Sequence, residues 1–194
     1  MEQHEIQRIK EVGKQKFSWR IIGENFVFKD GEHYYKMPGI VGKNIFYKKN
    51  DSYKQAIKNF EMIKTYFSKI VKIADTEIIQ DNDGHYIIKQ KEIAGEKLTK
   101  KMLEENHHLL MKFKKLVIIN EVMWEKEGFC LDILGSDFIY DMRVIPNIFT
   151  DGSHLYLFDI GLLERKPERK IFEFISKIAR FLQDIIIKKG FFKE

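Results

Sequence analysis

In the segment "PNIFTDGSHLYLFDIGLLE", residues 146–164, the amide of Asn147 and the carboxylate of Asp159 stand twelve positions apart. Asp159 ends the apolar run "LYLF" and precedes Ile160 and Gly161, while Asn147 opens the other arm of a hairpin turned by Asp151 and Gly152. A carboxylate and an amide oxygen at the mouth of one hairpin can reach a single hard cation such as magnesium. The same residues also suit a plain strand-ending turn, because Asp bonds readily to nearby backbone and Gly permits a sharp bend. Phosphoryl transfer from ATP is the chemistry that uses the first arrangement. It needs a cation on the phosphates, oxygen ligands on magnesium and a group that orients the acceptor hydroxyl.

This segment resembles the part of the protein-kinase-like fold that runs from the catalytic-loop Asn to the Asp-Phe-Gly motif, with Ile160 in place of Phe. Upstream, "HYYK" is similar to the Val-Ala-Ile-Lys strand, and "NFEMIKTYF" stands where the helix inserted into the N-terminal sheet belongs. The piece "YIIKQKEIAGEKL" looks like the last strand of that sheet and the hinge between two lobes. The resemblance implies Lys36 on the nucleotide phosphates, Glu61 as its ion-pair partner, and Asn147 and Asp159 on magnesium (Mg2+). It also implies backbone contacts to adenine near Lys89, Gln90 and Lys91, and a phosphate-covering loop of which "GENFVF" keeps only Gly23. The implied fold is α+β and two-lobed: an antiparallel sheet lobe, residues 1–94, with one inserted helix, and a reduced, mainly helical lobe, residues 95–194.

Departures from the kinase pattern are concentrated around the base. Kinases place the base Asp four intervening residues before the Asn, and position 142 here is Met. Asp132, in "GFCLDILG", follows a long helical segment and requires the insertion "SDFIYDMRVI" before Pro146; Asp141 lies one residue beyond the usual spacing in the unfamiliar context "IYD". We read Asp132 as the base and keep Asp141 as the alternative. The chain after Gly161 has no Ala-Pro-Glu anchor and little beyond one helix. The function implied is a minimal ATP-dependent phosphotransferase acting on a hydroxyl, on a protein or a small molecule. Its alternatives are a nucleotide-binding pseudokinase that serves as a protein-interaction module and a small-molecule kinase of the aminoglycoside-phosphotransferase type.

The elements that must position these residues follow from periodicity and turn chemistry. The polar start "MEQHEIQRIKEVGKQK" reads as a helix, and "FSWRIIGENFVFKDGEHYYKMP" as three antiparallel strands separated at residues 23–25 and at Asp30-Gly31. Ala56, Ile57, Phe60, Ile63, Phe67 and Ile70 recur at helical spacing over residues 51–70, with Asp51 or Ser52 as N-cap. "TEIIQ" and "HYIIKQKEI" form a hairpin across "DNDG", and Gly95 ends the sheet-like half. Residues 98–124 read as one long helix bearing Leu109, Leu110, Phe113, Leu116, Val117 and Asn120 on one side. After Gly128 the chain reads as irregular up to the 147–160 hairpin, and "KIFEFISKIARFLQDIIIKK" closes it as an amphipathic helix.

Composition sets the remaining bounds. The 194 residues are 44% hydrophobic, enough to bury a core, and a net charge of +5 attracts acidic partners without specifying one. The lysines are dispersed rather than gathered in a basic motif, which argues against nucleic acid. The single cysteine, Cys130, excludes an internal disulfide and a multi-cysteine zinc site, and reads as a small buried apolar residue rather than a nucleophile. The charged start and the short apolar runs predict no signal peptide and no membrane span, hence the cytoplasm. The adjacent His107 and His108 point in different directions on a helix and cannot share a metal, and His85 and His154 fall near hairpin turns facing solvent.

Overall fold

The computed structural model of the protein describes residues 3–16, 25–38, 52–134, 141, 143–165 and 170–192. It is a mixed α+β structure whose strands pair antiparallel except for Lys72–Ile73, which runs parallel to Leu155–Leu157, and the chain divides into two compact units: Met1–Glu61 with Ala74–Glu92, and Met62–Ile73 with Ile93–Glu194. Among the described residues no helix is long and apolar enough to cross a membrane.

In the first unit, helix α1 (Gln3–Lys16) lies on one face of a sheet built from strands β1 (Asn25–Asp30), β2 (His33–Pro38), β4 (Thr76–Gln80) and β5 (Tyr86–Lys91), in the order β1-β2-β5-β4. Alternation decides which side chains meet the helix. Phe26, Phe28, Tyr35, Met37, Ile79 and Ile87 point toward Ile6 and Ile9, forming one apolar cluster with Val12 at its edge. Helix and sheet approach closely at Gly13, where an added Cβ would come 2.7 Å from the Phe26 ring. Lys10 reaches the β4–β5 turn, pairing at 2.8 Å with the buried Asp81, whose Oδ1 accepts the amide hydrogens of Asp83 and His85.

That turn corrects the expectation for His85. It is buried rather than solvent-facing, its amide is held by Asp81, and its Nδ1 lies 3.1 Å from Ser52 Oγ at the start of helix α2 (Ser52–Phe67). Along α2, Ala56, Phe60, Ile63 and Phe67 are buried at spacings of four, three and four, the stripe that periodicity predicts. The helix ends at Phe67, short of Ile70, while Asp51 and the first of the three strands expected over residues 17–38 lie outside the described residues.

The second unit has a sheet in the order β3-β9-β8-β6, made of β3 (Lys72–Ile73), β6 (Glu96–Thr99), β8 (Val144–Thr150) and β9 (Leu155–Leu157). A separate ribbon pairs β7 (Phe129–Leu131) with β10 (Leu162–Glu164). The single long helix expected over 98–124 is therefore corrected. Leu98 lies in a strand, and the helix is two: α3 (Lys100–Glu105) and α4 (His107–Glu127). Two capping side chains cause the break. Thr99 Oγ1 accepts from Met102 N at 3.2 Å, and Asn106 Oδ1 accepts from Leu109 N at 3.1 Å. The stretch after Gly128 is likewise not irregular throughout, because β7 begins at Phe129.

Helix α4 stops at Gly128, whose φ of 74° is left-handed, and Arg165 satisfies the end of the helix. Its amide donates to Gly128 O at 2.7 Å, its guanidinium donates to Trp124 O at 2.7 Å, and that guanidinium lies 4.9 Å from the centre of the Trp124 ring. Helix α5 (Lys170–Ile186) continues into a π-helical turn, Ile187–Phe191. Its inward residues are Ser176, Gln183 and Ile187, while Phe174, Ile175, Ile178, Phe181 and Leu182 are exposed.

Asn106 also donates through Nδ2 to Gly152 O at 2.9 Å, so one side chain caps α4 and ties it to the β8–β9 turn. Asn106→Ala is expected to lower the unfolding free energy by about 1–2 kcal/mol. Asn106→Asp, which keeps the capping oxygen, should lose less, and urea unfolding of both variants measures the difference.

Candidate functional site

Three chain segments meet at one end of the second unit. The β8–β9 ladder terminates with Ile148 opposite Leu157, so Asn147 and Phe158 are the next residues out and Asp159 is one further. The β7–β10 ladder terminates with Leu131 opposite Leu162, so Asp132 and Gly161 are the residues that leave it. Asp132 thus follows the end of β7 and Asp159 lies two residues past β9, while Asn147 is the central residue of β8, where the pairing with β9 stops and the register with β6 shifts. A hydrogen bond joins two of them: Asn147 Nδ2 donates to the backbone oxygen of Asp132 at 2.6 Å. All three residues are half-buried.

The bend after Asp159 is made by its own side chain. Asp159 Oδ1 accepts from Gly161 N at 2.9 Å, a local turn that fixes the carboxylate. Gly161 is not among the residues of positive φ, which corrects the expectation that glycine's backbone freedom makes this bend. Space does not demand glycine there either, since a Cβ would stand in ordinary van der Waals contact, 3.4 Å and 3.6 Å from the two carboxylate oxygens. Ile160, at the position of the kinase Phe, is buried, and Phe158 packs against Phe149 with ring centres 5.7 Å apart.

Asn147 and Asp159 both carry oxygen donors. With Nδ2 bound to Asp132 O, the Asn147 amide turns its oxygen, not its nitrogen, away from that carbonyl, and hard cations take oxygen ligands. Among the described residues no three His, Cys, Asp or Glu side chains cluster to hold a metal.

Asp141 is in a different situation. Arg143 holds both of its oxygens, Nε to Oδ1 at 3.0 Å and Nη2 to Oδ2 at 3.3 Å, and the Arg143 amide also donates to Oδ1 at 3.0 Å. Those hydrogen bonds keep its carboxyl below the usual carboxylate range. Two further residues matter that the sequence reading passed over or counted only as helix face. Gln183 and Asn120 are buried amides, and both bond to the backbone around Asp132. For Asn120 the available signal was a lone amide on an otherwise apolar helix stripe; Gln183 had none, because the apolar residues around it, Phe181 and Leu182, are exposed.

In the first unit, Lys36 lies in β2 opposite Val27 and Ile88, on the sheet face away from α1. Glu61 is exposed on α2 in the same unit. Gly23 lies outside the described residues. Lys89, Gln90 and Lys91 belong to β5, an inner strand paired with β2 on one side and β4 on the other. An inner strand spends its backbone groups on its neighbours. Lys91 N donates to Asp75 O and Glu92 N to Glu32 O, so the first peptide groups past these bonds begin at Ile93. The backbone contacts to adenine expected at residues 89–91 thus fall on an inner strand, whose peptide groups face its two neighbours. Gln90 itself is buried, its Nε2 donating to Thr76 Oγ1 at 2.9 Å.

No protein-family model matches the chain, and no curated protein sequence matches it.

Cys130, next to the site in β7, is fully buried, and burial pushes its thiol up to about 12. The nucleophile is the thiolate, so at about pH 8 the folded protein should resist iodoacetamide. Intact-mass measurement is expected to show no adduct on the native chain and one on the denatured chain.

Proposed function

We propose that the protein is a minimal phosphotransferase of protein-kinase-like type, acting with Mg-ATP on a hydroxyl acceptor. The observation that carries this reading is the hydrogen bond from Asn147 Nδ2 to the backbone oxygen of Asp132, which brings a candidate metal ligand against the segment that bears a candidate base. Bound magnesium would neutralise charge on the transferring phosphoryl group. Asn147 and Asp159 supply its oxygen ligands. Asp132 orients the acceptor hydroxyl and takes its proton as the acceptor oxygen bonds to the γ-phosphorus and the bond to the ADP oxygen breaks. Lys36 is assigned to the phosphates and Glu61 to Lys36. Asp132 is preferred to Asp141 because Arg143 engages both oxygens of Asp141.

The second reading, a nucleotide-binding pseudokinase, rests on Met142 standing where kinases keep the base. Transfer of labelled γ-phosphate from ATP to the chain itself or to an added protein would exclude it. A small-molecule acceptor is separated from a protein acceptor by screening metabolites for stimulated ADP release.

Asp159→Asn is expected to abolish the magnesium-dependent thermal stabilisation by ATP, and unchanged stabilisation would overturn the assignment. Asp132→Asn should keep that stabilisation while lowering turnover about 100- to 10,000-fold, the range of a lost general base.

A further inference from the structure

The turn that carries Asp132 is held almost wholly by side-chain amides. Leu131, Ile133 and Leu134 are buried, and the three-residue strand β7 offers them little ladder. Gln183, 2% exposed on α5, accepts through Oε1 from Ile133 N at 2.7 Å and, more weakly, from Leu134 N at 3.4 Å. Its Nε2 donates to Leu131 O at 3.1 Å. Asn120, 2% exposed on α4, takes the other side of the same residue: Oδ1 accepts from Leu131 N at 2.6 Å and Nδ2 donates to Leu131 O at 3.2 Å. Asn147, from β8, binds Asp132 O. Three amide side chains from three elements thus grip consecutive peptide groups on both sides of Asp132.

We infer that Gln183 is a positioning residue for this site, with Asn120 as its partner. The two fix the 131–134 turn so that the Asp132 carboxyl is presented beside Asn147. The inference rests on the phosphotransferase reading for its catalytic consequence, but not for its geometry. An inward helix position is normally apolar, and burying an amide is costly unless its bonds are made. Both buried amides spend their hydrogen bonds on one turn. Apolar side chains could fill the space but could not hold the peptide groups, and a base displaced by about 1 Å can cost a hundredfold in rate.

The test uses the full chain with Mg-ATP, water standing in as phosphoryl acceptor. Gln183→Leu fills the same space without the hydrogen bonds. Its kcat for phosphate release is expected to fall about 10- to 100-fold while KM for Mg-ATP and the ATP thermal shift stay unchanged. Amide hydrogen exchange at Ile133 and Leu134 should accelerate in this variant while exchange in the middle of α4 does not. Gln183→Glu keeps the acceptor for Ile133 N and Leu134 N and is expected to recover most of the rate. It is also the variant to measure should Gln183→Leu fail to fold. A wild-type kcat in Gln183→Leu, or unaltered exchange at Ile133 and Leu134, overturns the inference. If the wild-type chain binds no Mg-ATP, the phosphotransferase reading falls, and the exchange comparison still decides whether Gln183 fixes the turn.

Discussion

A buried peptide group must find a partner, and the turn from Leu131 to Leu134 finds few in a β-ladder. An unsatisfied buried donor or acceptor costs about 1–3 kcal/mol, and this turn presents several in succession. Much of the second unit answers that need. Helix α4 brings Asn120 to Leu131, helix α5 brings Gln183 to Ile133 and Leu134, and strand β8 brings Asn147 to Asp132. The caps that set α4 in place, Asn106 at its start and Arg165 at its end, therefore also act on the turn through Asn120.

The proposed chemistry depends on the same economy of partners. Asn147 uses its nitrogen on the Asp132 turn and so directs its oxygen elsewhere, while Asp159 is turned by a bond to Gly161 N. One side chain thus serves both scaffold and site. The alternative carboxylate, Asp141, is bound by Arg143 through both oxygens, which suits a structural ion pair better than a base.

Local chemistry was readable in the sequence, and non-local pairing was not. The Asp-Gly turns at Asp30-Gly31, Asp83-Gly84 and Asp151-Gly152, the α2 stripe and the terminal helix all follow from spacing and turn residues. The break at Asn106 was hidden because apolar residues keep helical spacing on both sides of a residue that caps the second helix. Strands of two or three residues, such as β3, β7 and β10, have no periodicity to detect and exist only through their partners. His85 was misread because its burial depends on Asp81 and Ser52, the latter 33 residues away in the chain. For the candidate site, Asn147 and Asp159 were singled out by residue type and spacing, and Asp132 by the kinase resemblance. Of the amides beneath them, Asn120 was placed on the apolar side of its helix by spacing alone, but its partner Leu131 and the burial of Gln183 depend on contacts distant in the chain.

The grip on the Asp132 turn consists of uncharged amides. Asn120, Gln183 and Asn147 neither gain nor lose a proton across the range in which proteins stay folded. A lysine or histidine in the same place would loosen or tighten with acidity, and would couple the shape of the turn to the solution around it. Here the frame is indifferent to pH. Any pH dependence of the proposed transfer would then come from titrating groups other than these three amides.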